Sequence, residues 1–416
     1  NANGTNTANG PGNLTVNGSV AAAGAVTATA QNDVTVATPG KIATGTTVGI
    51  NAQHDINVAG AVESVGDAVL NAQQGSLNAT GGINSGGKLN ITTGLDLSLG
   101  ASTSAIGDAT LSAGRDALLD GLLIGQANGF VTAGRDIGGA GTQAFTQAAN
   151  YTAQRDIALT GGVQANVINA LGGNSATLHD VNSATTLTLT ANGNAGGGDA
   201  AITGTATAPG LVTLSGARDV LVSGSLTTGD SLTLAAQRNV TVSGTVQTTA
   251  GDLTATAAAG SIALTGTTTT SGALNLTSAL DTQLGGTINA ARDVTVQAGR
   301  DIMLTGALAG QLGGTLTASH DINGAGTAAF AQAATLNASH DLALTGALQG
   351  ASVTVTGGNS AGLGSVQAVT GNLAVTANGN AGGGDVTLGG TAAALGTLVL
   401  QAARDVGVGG ANNAGG

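Results

Sequence analysis

The chain has 416 residues, of which 72 are Gly, 3 are Pro and none is Cys; apolar residues make up 41%, aromatics 1%, and the formal net charge is -12. Four aromatics (Phe130, Phe145, Tyr151 and Phe330) cannot fill the wide core of an ordinary globular domain of this length. The absence of Cys excludes a disulfide framework, and an acidic chain without a basic patch argues against nucleic acid or an anionic membrane surface as a partner.

No run of about eighteen apolar residues is present, so no helical membrane span is predicted. Collagen is excluded because Gly does not fall at every third position and Pro is scarce. Disorder would carry low hydrophobicity and no period, whereas the period here is strict. The chain begins at Asn1 without a signal peptide. Residues 1–12 and 409–416 read as low-complexity ends, which suggests an internal fragment.

Between those ends one short sentence of sequence recurs. It appears as Asp55-Ile56-Asn57-Val58-Ala59-Gly60, then as Asp156-Ile157-Ala158-Leu159-Thr160-Gly161 and Asp219-Val220-Leu221-Val222-Ser223-Gly224. It returns as Asp301-Ile302-Met303-Leu304-Thr305-Gly306 and Asp341-Leu342-Ala343-Leu344-Thr345-Gly346. After each Asp, apolar residues alternate with others at the period of two that sends side chains to opposite faces of a strand. A Gly five residues after the Asp supplies a turn. Weaker copies place Ser at the anchor, as in Ser76-Leu77 and Ser261-Ile262.

Anchors are expected at 33, 55, 76, 96, 116, 136, 156, 180, 199, 219, 239, 261, 281, 301, 321, 341, 365, 385 and 405. Their mean spacing of about twenty suits one coil of three short strands and three corners. A second register lies over the first. Asp136 matches Asp321, Phe145 matches Phe330, and Asn174 matches Asn359, each pair 185 apart. The chain thus reads as two copies of a block, about 31–216 and 217–402, within a single stalk over 1–416. Each block has one 24-residue interval, 156 to 180 and 341 to 365, with an extra loop expected around Leu171–Ser175 and Gly357–Ser360.

Units this short leave no room for the helix of a βαβ crossover. Stacking identical rungs buries each rung's apolar edge and satisfies the backbone between rungs. The predicted fold is all-β: a right-handed parallel β-helix of about 20-residue coils and roughly 19–20 rungs, near 90 Å long at about 4.8 Å per rung. The hand is taken from what is usual in such coils.

The basic residues are placed alike, apart from the two Lys, Lys41 and Lys88. Every Arg and His directly precedes an Asp, except Arg238, which precedes Asn239. Arg300 shares the parity of Val296, Ala298, Ile302 and Leu304, so an uninterrupted strand would drive its charge into the core at a cost of several kcal/mol. The chain must therefore turn between Ala298 and Asp301. Asp favours such a corner because its carboxylate accepts from nearby backbone N–H groups. Stacked carboxylates repel, and the adjacent Arg or His offsets that repulsion.

Constellations that could carry chemistry follow the repeat instead of breaking it. His320-Asp321 suggests half a catalytic triad, but it occupies the place that Arg135-Asp136 fills 185 residues earlier, and Arg cannot serve as a general base. Asp67, Asp230 and Asp252, candidates for a glycosidase-like carboxylate pair, each fall nine residues before an anchor. Gly196-Gly197-Gly198-Asp199 and its copy ending at Asp385 suggest a calcium-binding nonapeptide without the tandem copies that motif needs. The Thr185–Thr190 stretch fits an ordinary outward strand face as well as an ice-binding ladder. No catalytic, cofactor-binding or metal residue is assigned, and no enzymatic activity is expected.

The recurring Arg-Asp-Ile/Val-x-Leu/Val-x-Gly motif resembles the haemagglutinin repeats of filamentous-haemagglutinin-like exoproteins, including contact-dependent inhibition effectors, over about residues 32–410. The resemblance implies a β-helical stalk of a large virulence-associated protein, exported by two-partner secretion through an outer-membrane transporter and displayed at the bacterial cell surface. On that reading the chain projects an adhesive or toxin-bearing tip toward a host or neighbouring bacterial cell. The alternative is a stalk whose own surface is the adhesin, binding glycans or proteins, with a β-helix polysaccharide-active enzyme a distant third. Exposed strand edges at the first and last rungs lead us to expect end-to-end association of the fragment.

Overall fold

The computed structural model describes residues 6–415, and every regular element among them is a β-strand. The chain divides into two compact units, Asn1–Ala208 and Pro209–Gly416. Each unit is a parallel β-solenoid. In the first, Val48–Ala52, Ile56–Val58 and Ala61–Ser64 make one turn. They pair in register with Ala68–Ala72, Leu77–Ala79 and Ile83–Ser85 of the next. In the second, Val294–Ala298, Ile302–Leu304 and Ala307–Gly310 pair with Gly314–Ala318, Ile322–Gly324 and Thr327–Phe330. Two longer strands, Ile157–Gly172 and Ala176–Ala191, each bend through a whole turn. The units together hold about twenty turns.

Alternation decides what is inside. In the turn beginning at Val294, the side chains of Val294, Val296, Ala298, Ile302, Leu304 and Leu308 are buried, while Met303 and Thr305 are exposed. Each buried Val, Leu or Ile contributes about 1.5–3 kcal/mol relative to an exposed position. The parity argument for Arg300 holds: residues 299 and 300 form a bend, and the guanidinium lies at the surface.

The scarce aromatics sit where glycines make room. Phe145 packs where a Cβ on Gly129 would stand 2.3 Å from its ring, and Phe330 does the same over Gly314 at 2.2 Å. Tyr151 is also fully buried, so Phe130 is the one partly exposed aromatic.

The turn glycines have a different physical reason from the one expected. Gly306 does not adopt left-handed φ. A Cβ there would stand 2.1 Å from the carbonyl oxygen of Gly286 one turn below, and Gly326 and Gly346 face their predecessors in the same way. Close stacking of backbone on backbone, not conformational freedom, selects Gly at this corner.

Three sequence expectations are corrected. The anchors expected at 180 and 365 lie instead at Ser175 and Ser360, because Ala176 pairs with Ile157 and Ala361 with Leu342. Asp180 and Ser365 belong to the next corner: Thr205 donates its N–H to Asp180, and Leu348 donates its own to the carbonyl of Ser365. The extra loops accordingly lie at 192–199 and 378–385. There Gly193, Gly196 and Gly198, and likewise Gly379, Gly382 and Gly384, adopt positive φ. In the low-complexity ends, Asn6–Gly10 pairs with Val26–Ala30, and Asn412–Ala414 with Ala392–Ala394. Residues 1–5 and 416 of those ends lie outside the described residues. Finally, Arg292 and His179 stand at other corners than the remaining Arg and His, since Asp293 and Asp180 precede different faces.

Candidate functional site: the corner ladder

The polar chemistry of both units concentrates at the corner before each three-residue strand. There the backbone N–H of one anchor after another points at the side chain of the anchor one turn earlier. Asp136 donates to Asp116 Oδ1 at 3.2 Å, Asp156 to Asp136 at 3.1 Å, Asp321 to Asp301 at 3.0 Å and Asp341 to Asp321 at 2.9 Å. Ser175 and Ser360 continue the column by donating to Asp156 and Asp341 at 3.0 Å each.

The residue before the anchor reaches back to the same carboxylate. Arg115 Nε donates to Asp96 Oδ1 at 2.7 Å while its Nη2 donates to the other oxygen. Arg135 on Asp116, Arg155 on Asp136, Arg238 on Asp219, Arg300 on Asp281 and Arg404 on Asp385 repeat this fork. Two parallel N–H···O bonds match the planar guanidinium, which Lys could not supply. The Arg115 hydrogen bonds hold the Asp96 carboxyl below the usual range, and Arg238 and Arg300 do the same for Asp219 and Asp281.

At two turns His replaces Arg. His320 Nδ1 lies 3.0 Å from Asp301 and 3.2 Å from Asp321; His340 Nδ1 lies 3.0 Å from Asp321 and 3.2 Å from Asp341. The two rings stack, with centroids 4.8 Å apart and planes 4° from parallel.

A second ladder runs along the corner before the five-residue strands. Lys88 donates its N–H to Asp67 (2.8 Å), Asn128 to Asp108 (3.2 Å), Ala273 to Asp252 (2.7 Å) and Gly313 to Asp293 (2.8 Å). Asp67 and Asp252 stand in this ladder, whereas Asp230, which also falls nine residues before an anchor, accepts from Ser231 of its own turn and leaves the ladder position to Ser231. The His-Asp pairs are visible in the sequence, and the spacing of twenty between His320 and His340 is the signal for their stack.

Outside the ladders, a shallow open groove of about 730 Å³ crosses the third face of the first unit. Its lining is mostly Ala, Gly and Ser, with exposed Val65 and Ile106, and its one charged lining residue, Glu63, pairs with Lys41 at 2.6 Å. Tyr151, Phe145 and Phe330 are buried and present no ring to a ligand.

Searches against protein-family models, curated proteins and solved structures found no match to this chain.

Proposed function

We propose that the chain is a structural stalk segment of a large secreted bacterial surface protein, a passive solenoid that carries an adhesive or toxic tip and performs no catalysis. The observation that supports this reading most is how the polar side chains are used. The ladder carboxylates accept N–H groups and guanidinium forks from the next turn, so the charges knit turn to turn and do not converge on a substrate position. The shallow groove offers neither a stacking ring nor an unpaired charge, which a glycan-binding cleft would use. The resemblance of the Arg-Asp-Ile/Val-x-Leu/Val-x-Gly repeats to filamentous-haemagglutinin-like exoproteins supplies the secreted, surface-displayed setting.

The test is binding by the purified chain to bacterial and mammalian cells and to a glycan array. No saturable binding is expected. Saturable binding that a soluble glycan competes away would replace the stalk reading with the adhesive-surface one.

A further inference from the structure

The ladders of the two blocks differ at several turns (Asn32-Asp33 against Arg218-Asp219, and His54-Asp55 against Arg238-Asn239), and over one run of four anchors the difference removes two guanidiniums. Asp96, Asp116, Asp136 and Asp156 correspond, 185 residues on, to Asp281, Asp301, Asp321 and Asp341. The first four carboxylates are held by three guanidiniums, from Arg115, Arg135 and Arg155. The second four have one, Arg300, followed by His320 and His340 where Arg135 and Arg155 stood. The second column thus has two fewer guanidiniums than the first.

The imidazoles are also oriented. Each Nδ1 lies between two carboxylate oxygens, so the tautomer that satisfies them carries its proton on Nδ1. The lone pair is then on Nε2, which makes no hydrogen bond among the described residues. A carboxylate that orients one imidazole nitrogen leaves the other basic and directed, which is the usual support for a metal-ligating His. Among the described residues, His320, Asp321 and His340 form the one group of three such side chains whose ligand atoms lie within 4.8 Å of one another.

We propose that His320 and His340 bind one divalent transition-metal ion through their Nε2 atoms, with Asp301, Asp321 and Asp341 as positioning residues. Imidazole donors select Zn²⁺, Ni²⁺ or Cu²⁺ over Ca²⁺ and Mg²⁺, which prefer oxygen. A divalent cation there would also stand beside a carboxylate column that has two fewer guanidiniums than its counterpart. Two nitrogens on one ion at about 2.0–2.1 Å each can stand no more than about 4.2 Å apart. The rings are stacked 4° from parallel, so their in-plane Nε2 lone pairs run side by side. On binding, both rings must therefore approach and turn toward each other out of the stack. Their side chains, 52% and 37% exposed, can do so without disturbing the core.

The experiment is calorimetric titration of the full chain with ZnCl₂ at about pH 7.5, where an ordinary imidazole is neutral. Electron paramagnetic resonance of the Cu²⁺ form accompanies it to count coordinated nitrogens. One ion per chain and two imidazole nitrogens are expected. The H320R/H340R variant, which writes the first block's residues into the second, should lose saturable uptake while keeping the wild-type far-UV circular dichroism. D321N should weaken binding by about tenfold to a hundredfold, the range for losing a supporting carboxylate. A variant without the two unstacked histidines, H54A/H179A, should bind as the wild type does. Saturable uptake retained by H320R/H340R, lost by H54A/H179A, or absent from the wild type would each overturn the site.

Discussion

Replacing Gly306 by Ala isolates the backbone stacking that sets the turn geometry. In most surface turns with ordinary φ this change stabilises by about 0.4–1 kcal/mol, because it restricts the unfolded chain. Here the new Cβ would stand 2.1 Å from the carbonyl oxygen of Gly286, which is backbone and cannot swing aside. Relief requires the two turns to separate locally by about 1 Å, out of a spacing of about 4.8 Å. Three ladder bonds cross that gap: Thr305 N–H to Leu284 O at 3.0 Å, Gly306 N–H to the same oxygen at 2.9 Å, and Ala307 N–H to Gly286 O at 3.0 Å. At about 1 kcal/mol each, their loss costs about 3 kcal/mol, less the unfolded-state gain, for a net of roughly 2–3 kcal/mol. Gly362 is the internal control. It lies on an outward strand position where a Cβ would meet nothing closer than 3.7 Å. Urea unfolding followed by circular dichroism should therefore show Gly306→Ala destabilised and Gly362→Ala unchanged or slightly stabilised. Equal stability of the two variants would refute the stacking argument.

Leu304→Asp should cost several kcal/mol by placing a carboxylate in a fully buried position without a partner. Thr305→Asp, one residue on and outward, should cost less than about 1 kcal/mol, and thermal melts compare the two. Tyr151→Phe should raise stability by about 1 kcal/mol in the same melts, since the buried hydroxyl has no hydrogen-bond partner. Burial also pushes the Tyr151 hydroxyl well above its ordinary range, so absorbance of the native protein should show no phenolate until the chain unfolds in alkali. Acid should act through Asp96, Asp219 and Asp281, whose carboxyls the Arg115, Arg238 and Arg300 hydrogen bonds hold below the ordinary carboxyl range. For a lowered carboxyl, the stabilisation is complete above the unfolded value and disappears as pH falls through the folded one. Urea midpoints should thus be flat above about pH 5 and drop below about pH 4, and the drop should be shallower in Asp219→Asn.

Local chemistry made most of the fold legible in the sequence. Alternating apolar residues after each Asp fix which side chains face inward, and a twenty-residue period leaves a stacked coil as the arrangement that buries them. The same reading placed Arg300 outside from parity alone. It failed where two corners look alike. Asp180 follows a His and resembles an anchor, yet the anchor is Ser175, because pairing between turns is decided by the whole row from Ile157 to Gly172 against Ala176 to Ala191. The loop therefore moved to residues 192–199, where three glycines take positive φ.

Other properties exist only between turns, and the sequence could not supply them without the register. The distance from one glycine to the carbonyl below, the room that Gly129 leaves for Phe145, and the fork from Arg115 to Asp96 all join residues from different turns. So does the stack of His320 on His340. A period of twenty states that such residues recur. Only the folded coil brings them within a few ångströms, where sterics, hydrogen bonding and charge act.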